Sequence, residues 1–415
     1  MIKKKPELVM PAGDLTKAEY AYKYGADACY CGLAKYSLRK AEVDFTIPQI
    51  KKAITLAHNH GKKLYVTFNV FAKNNYMASL KKDIKEISKL GPDAFIIADP
   101  GIVHVAKNST KTPIHISTQA NTTNAESIKF WKDYGIKRVV LARELTLREI
   151  TEIKKQVPKM EIEVFAHGAM CISYSGRCLL SAAMTGREAN QGDCAQPCRW
   201  KYKLYMEEEL RPGQFFPVSE DDTGTYIFNS KDLRLLEFLP QLTNAGIDAF
   251  KVEGRNKTEN YLATIANAYR KAIDNLGTAQ FKKQLPELLA ETEKIAHREY
   301  TSGFIFGDAT KGETYSERSP VENYKFLGLN NGNTVNSLKF IPKNQIKVGD
   351  KIEILTTENV FHEKIEKMYN IDGENIKVAN PHPEQNIITV KTTNDYPSYS
   401  IIRKRVENDK QRRIK

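Results

Sequence analysis

A chain of 415 residues exceeds one ordinary hydrophobic core and accommodates a large domain followed by a small one. Its 41% apolar and 27% charged residues are usual for a soluble globular protein, and no apolar stretch approaches the roughly 20 residues needed to span a bilayer. The formal net charge of +13 suits either a lysine-rich solvated surface or a polyanion partner, RNA first among them.

The first residues, Met1-Ile-Lys-Lys-Lys-Pro, show neither the apolar core nor the cleavage site of an export signal, so a cytoplasmic protein without a membrane partner is expected. Eight short apolar runs then follow in order: Leu8–Pro11, Asp27–Gly32, Leu64–Asn69, Ala94–Asp99, Ile114–Gln119, Arg138–Ala142, Ile162–Ala166 and Ala249–Glu253. Helical patterns separate them, among them 46–59, 77–90, 124–134, 146–156 and 233–244. Thr46 before Ile47-Pro48, and Thr146 three residues before Glu149, read as helix N-caps.

A small repeat punctuates these units. Tyr24-Gly-Ala-Asp-Ala28, Leu90-Gly-Pro-Asp-Ala94 and Ala245-Gly-Ile-Asp-Ala249 each end a helical pattern and open an apolar run; Tyr134-Gly-Ile-Lys-Arg138 is a looser copy. The glycine suits the left-handed position that stops a helix, and the run after it suits a buried strand. Repeated strand–helix units predict an α/β fold with a parallel sheet, a TIM-type (β/α)8-like barrel over residues 1–310. An open doubly wound sheet is the alternative, although no GxGxxG follows the first run.

Barrel chemistry belongs at the C-terminal strand ends. Asn69, Asp99, Gln119, Asn121, Arg143, Glu144 and His167 fall there, as does the run Lys251-Val-Glu-Gly-Arg255. Alternation aims Lys251, Glu253 and Arg255 to one side of a strand, and Gly254 permits close approach of an anion. Taken singly, each of these residues is more simply a cap or loop-bonding side chain.

Six cysteines in such a chain are no disulfide framework, yet four fall within 28 residues as Cys171-x6-Cys178-x15-Cys194-x3-Cys198. A helical turn would align Cys194 with Cys198. An iron–sulfur cluster and a tetrahedral zinc site both need four thiolates, and spacing alone leaves the two open. Cys29 and Cys31, two apart in an apolar run, read as buried small hydrophobes. His167, Cys171, Ser173, Ser175 and Ser181 raise a hydrolytic reading, but no GxSxG elbow or HExxH helix supports it.

Residues 311–322 are polar and irregular, a linker. Beyond it, short strands over 323–405 with glycine-bearing turns predict a small β-barrel domain, equally suited to RNA contact or to structural support. Arg403-Lys404-Arg405 and the basic tail 406–415 read as a source of non-specific phosphate attraction.

The stretch Glu163-Val-Phe-Ala-His-Gly-Ala-Met-Cys171 through Ser-Gly176-Arg-Cys178-Leu-Leu-Ser181 resembles the signature of the U-32 peptidase (collagenase-like) family. Cys194-Ala-Gln-Pro-Cys198-Arg-Trp, Phe228-Asn-Ser-Lys-Asp232-Leu, Lys251-Val-Glu-Gly-Arg255 and Ala296-His-Arg-Glu-Tyr-Thr-Ser-Gly-Phe304 resemble its tRNA-hydroxylation group. The resemblance implies hydroxylation at carbon 5 of the wobble uridine of tRNA, with prephenate as a required metabolite. It also implies a 4Fe–4S cluster on Cys171, Cys178, Cys194 and Cys198, with zinc as the alternative metal. Family members differ in their fourth cysteine, which singles out Cys198. His167, Lys251, Glu253 and Arg255 are then the candidate catalytic residues, with tRNA and prephenate as partners. A homo-oligomer or a pairing with a paralogous subunit is left open. A collagenase-like peptidase and a non-catalytic RNA-binding scaffold are the competing functions.

Overall fold

The computed structural model describes residues 4–33, 35–36, 45–170, 178, 180–187, 194–197, 200, 205–207, 212–213, 215–217, 231–307, 321–332, 335–381 and 387–406. Eight strands form the large domain: β1 (Glu7–Pro11), β2 (Ala28–Gly32), β3 (Lys63–Phe68), β4 (Ala94–Ile97), β5 (Ile114–Ile116), β6 (Arg138–Val140), β7 (Glu161–Ala169) and β8 (Ala249–Val252). Each pairs in parallel with the next in order, and β8 pairs with both β7 and β1. That double pairing closes the sheet into a barrel and removes the doubly wound alternative.

Helices α1 (Leu15–Lys23), α2 (Ile47–Asn59), α3 (Asn74–Ser88), α4 (Pro100–Ser109), α5 (Ala125–Asp133) and α6 (Leu147–Gln156) return the chain between the first seven strands. The short α7 (Leu180–Thr185) and α8 (Leu239–Asn244) precede β8, and α9 (Glu259–Asp274) and α10 (Ala279–Thr292) follow it. Thr46 with Gln49 and Thr146 with Glu149 form reciprocal capping boxes, as their sequences require.

Strand alternation divides the side chains cleanly. Leu8, Met10, Cys29, Cys31, Leu64, Val66, Phe95 and Phe250 face outward into one large core under the helices. Val9, Tyr30, Tyr65, Ile96 and Ala249 face inward. Both Cys29 and Cys31 are fully buried in the outer layer, so they pack as small hydrophobes.

The repeated glycines hold the expected conformation: φ is +111° at Gly25, +83° at Gly91, +76° at Gly135 and +89° at Gly246. The aspartate two residues on has its own task. Asp27 accepts from the backbone N–H of Leu8 at 2.8 Å, Asp93 from that of Leu64 at 2.8 Å, and Asp248 from that of Ile162 at 2.9 Å. Each copy thus satisfies a donor at the foot of the neighbouring strand, which the ladder leaves open.

One predicted helix is shorter than its pattern. Leu233 belongs to a strand, Asp232–Arg234, that runs antiparallel to the end of β7, and only Leu239–Asn244 is α-helical. Asp232 N–H is held by Glu299 O at 2.9 Å, and Pro240 is placed in the first turn of α8, where a missing N–H costs nothing.

Beyond the barrel, antiparallel strands form a separate domain of four-, three- and two-stranded sheets around its own core of Leu338, Phe340, Ile354 and Val390. Within this domain Gly373 takes a left-handed φ of +81° in a turn, and the strand that follows is short, Val378–Ala379. The domain is fastened to the barrel. Tyr24 donates to the carbonyls of Leu355 and Tyr399 at 2.8 and 2.9 Å, and Arg403 ion-pairs with Glu291 and Glu353. Arg403 is fully buried and Lys404 bridges to Asp350 at 2.7 Å, so these two are structural ties rather than part of a phosphate-binding tail. The residues from 407 on, including Lys410, Arg412, Arg413 and Lys415, lie outside the described residues, as do 311–320 of the expected linker. Among the described residues no helix is long and apolar enough to cross a membrane.

Candidate active site at the C-terminal rim of the barrel

The inward residues near the strand ends enclose a cavity at the mouth of the barrel. Tyr30, Ile96, Val140 and Phe165 form its apolar walls, while Thr67, Asn69, Ser117, Thr118 and Gln119 supply hydrogen-bonding groups. Lys251, Glu253, Arg255 and Arg143 supply its charge. The structure therefore brings together three of the four predicted catalytic residues, Lys251 from β8 itself and Glu253 and Arg255 from the loop that follows its end at Val252.

Lys251 is buried, with its ammonium 2.9 Å from Glu163 and 4.2 Å above the ring of Tyr30. Burial lowers its pKa, and the Glu163 carboxylate opposes that fall. Asn69 and Ser117 both donate to the Gln119 carbonyl oxygen, which orients that amide at the wall. Three cations thus share this region with the carboxylates of Glu253 and Glu163, an arrangement suited to a small organic anion.

Two charged groups of the cavity also hold the chain that leads to the cysteines. Arg143 donates to the carbonyl of Ala169 at 2.8 Å, and Glu253 accepts from the N–H of the same residue at 3.3 Å. Ala169 precedes Cys171 by two positions. Gly168 sits at φ +111°, and a Cβ there would lie 2.6 Å from the Glu253 carbonyl, so only glycine allows this approach.

His167 faces elsewhere. The β7–β8 register slips by one residue between Lys251 and Val252, pairing His167 with the outward-facing Val252. Its ring is therefore turned out of the cavity and into a cage of Tyr261, Tyr269 and Tyr300. Burial pushes its pKa down to about 3, with the nearby Asp232 opposing. The structure separates this histidine from the other three predicted residues.

Of the four clustered cysteines, Cys178 and Cys194 are described, both as half-buried free thiols; Cys171 and Cys198 lie outside the described residues, as do Ser173 and Ser175. The buried Ser181 hydroxyl accepts from Ala195 N–H at 2.9 Å, which brings the Cys194 segment to the helix that begins two residues after Cys178. Gln196 N–H donates to Cys194 Sγ at 3.4 Å, a contact that suits a thiolate ligand. Gln196 takes a left-handed φ of +57°, so the helical turn expected to align Cys194 with Cys198 does not form at its start. The Ser181–Ala195 contact and the backbone donor on Cys194 Sγ are compatible with a thiolate-held metal group.

The other motif segments build the platform behind this region. Arg298 and Asp232 are both buried and ion-paired at 2.6 Å, and the strands Asp232–Arg234 and Tyr300–Thr301 extend the sheet beyond β7. Sequence reasoning did not single out Glu163, Tyr30, Phe165, Thr67 or Ser117 as site residues. The available signal for Glu163 was its charge at an inward position of an otherwise apolar strand, which demands a buried partner.

The family model for peptidase family U32 matches residues 13–315, and that for the peptidase family U32 C-terminal domain matches residues 322–403. A relative named tRNA hydroxylation protein P, from Escherichia coli (strain K12), is 39% identical, covering 90% of this chain and 91% of its own. Another, tRNA hydroxylation protein P1 from Bacillus subtilis (strain 168), is 38% identical over 93% of this chain and 92% of its own. A collagenase of Porphyromonas gingivalis (strain ATCC BAA-308 / W83) is 27% identical over 87% of this chain and 89% of its own.

Proposed function

The chain belongs to peptidase family U32, and from that premise we propose that it is a tRNA-modifying enzyme that hydroxylates carbon 5 of the wobble uridine. Prephenate is the small anion of the rim cavity, and a 4Fe–4S cluster is held by Cys171, Cys178, Cys194 and Cys198. The observation that carries this reading is the shared grip on Ala169. Arg143 and Glu253 line the anion cavity and also hold the peptide two residues before Cys171. That grip supports reading the cavity and the cysteines that begin at Cys171 as parts of one site. The relatives named for tRNA hydroxylation are also nearer in sequence than the collagenase, at 39% and 38% against 27% identity.

The chain's own residues have distinct tasks. Arg255 and Arg143 match a carboxylate with planar forked donors, and Lys251 contributes a further N–H donor from beneath. The apolar walls of Tyr30, Ile96 and Phe165 exclude water around a ring-sized ligand. When bound, the cluster supplies the one-electron chemistry that side chains lack. The net charge of +13 suits approach of the tRNA phosphates.

The test is anaerobic purification with iron and zinc analysis of each Cys→Ala variant, beside nucleoside mass spectrometry of tRNA from a deletion strain complemented with each variant. Four irons per chain are expected, lost on substitution of Cys171, Cys178 or Cys194, together with the 5-hydroxyuridine derivatives. A colourless zinc protein would overturn the cluster, and an unchanged nucleoside profile in the deletion strain would overturn the substrate.

A further inference from the structure

Beneath Lys251 runs a column of buried charge, Glu163, Arg138 and Glu7, to which the proposed chemistry gives no part. Glu163 accepts from Lys251 Nζ at 2.9 Å through one carboxylate oxygen and from Arg138 at 3.0 Å through the other. Arg138 continues to Glu7 and to Glu161, each at 2.8 Å. Glu7 in turn accepts from the Tyr65 hydroxyl and from Lys63, both at 2.6 Å, where Lys63 meets solvent at the foot of the barrel. Glu163 is 1% exposed and Lys251 5%.

An ammonium so deeply buried tends to release its proton, because the charged form loses its hydration. The groups around Lys251 do not act alike. Arg138 from β6 and Arg255 after β8 repel its charge, while the rings of Tyr30 and Phe165 lie against it. The buried His115 on β5 carries no compensating negative charge, and Glu253, two residues on, faces the rim and Ala169. Among the described residues Glu163 is the carboxylate in contact with the ammonium.

We propose that Glu163 is a positioning residue: it keeps Lys251 an ammonium and aims it upward beneath the ligand, with Arg138 and Glu7 fixing Glu163 from below. A consequence follows for the ligand. Since Glu163 already neutralises Lys251, the positive charge that matches an anionic head comes from Arg143 and Arg255. Lys251 has three donors, one taken by Glu163, and offers the others to an uncharged oxygen such as a carbonyl or hydroxyl. This deepens the proposed function, on which it rests only in taking the cavity as the ligand site.

The experiment is a pH titration by NMR of protein labelled with nitrogen-15 at lysine Nζ, with Lys251 assigned from the Lys251→Arg variant. Wild type should show Lys251 as an ammonium at pH 7. In Glu163→Gln its midpoint should fall by about two pH units or more, and Glu163→Asp should restore part of that loss. Calorimetry with prephenate should show binding to Glu163→Gln weakened about tenfold at pH 8 and recovering towards pH 6, as expected for loss of one charged donor. A neutral Lys251 in wild type at pH 7, or an unchanged midpoint in Glu163→Gln, overturns the proposal; a merely structural ion pair would alter melting temperature and midpoint alike but leave prephenate affinity of Glu163→Gln equal to that of wild type at both pH 8 and pH 6. If Glu163→Gln does not fold, the wild-type and Glu163→Asp titrations still decide. Should neither protein bind prephenate while Lys251 titrates as expected, the ligand assignment fails and the positioning role stands.

Discussion

Arg298 donates to the Asp232 carboxylate at 2.6 Å, and the two residues come from motif segments 66 positions apart. Burial raises the Asp232 pKa, but the Arg298 charge and its backbone and side-chain hydrogen bonds together bring it below the ordinary value. The strand that carries Asp232 pairs with the end of β7, and Lys231 O accepts from Met170 N–H, so this ion pair braces the start of the cysteine segment. Asp232→Asn leaves Arg298 buried and uncompensated, and should cost about 3–5 kcal/mol in urea denaturation. Hydrogen exchange of Gly168–Met170 should accelerate in the same variant.

Arg403 should prove to be a joint between domains. Arg403→Met leaves Lys294 as the cation paired with Glu291 and Glu353, at 3.1 and 2.9 Å, and is expected to cost about 3 kcal/mol, while the exposed Arg405→Met stays within about 0.5 kcal/mol. Neither change should alter the dependence of tRNA affinity on salt by more than about one counterion. Denaturation curves and binding titrations at several ionic strengths check both statements.

His167 makes stability depend on acid. Its folded pKa of about 3 lies below the ordinary 6.5, so above pH 6.5 both states are neutral and the group contributes no slope. As pH falls from 6.5 towards 3, the unfolded chain takes up the proton and the folded one does not, so stability declines by up to about 1.4 kcal/mol per pH unit. His167→Phe should flatten that limb of a stability–pH profile. A direct role in proton transfer would instead abolish product at a pH where the variant remains folded.

Arg143 touches both the cavity and the Ala169 carbonyl. Arg143→Lys keeps the charge but loses the planar fork, and should lower 5-hydroxyuridine formation by roughly tenfold or more, equivalent to one charged hydrogen bond of about 1.5–3 kcal/mol. Quantitative nucleoside mass spectrometry in a complemented deletion strain gives the answer.

Local pattern determined much of this molecule. Apolar runs separated by helical stretches, with a left-handed glycine at several of the junctions, specify strand–helix units wherever they occur, because the periods and the helix stops are local physics. The same alternation predicted Lys251, Glu253 and Arg255 on one side of a strand; all three line the cavity, but the strand ends at Val252 and the loop around Gly254 carries the last two. The count of eight such units favoured a closed barrel over an open sheet, and the pairing that decides it, β8 with β1 some 240 residues away in sequence, is made in the tertiary structure. The direction of His167 lay beyond such reasoning, since a one-residue slip between β7 and β8 turned it from the cavity to the tyrosines. Arg403 looked like surface charge in a basic run and became a buried tie, because the neighbouring strand of its own sheet supplies Glu353 and packing against the barrel domain supplies Glu291. Pattern names the element on which a residue stands; partners distant in sequence decide what surrounds it, and therefore whether its charge meets solvent, a ligand or another buried charge.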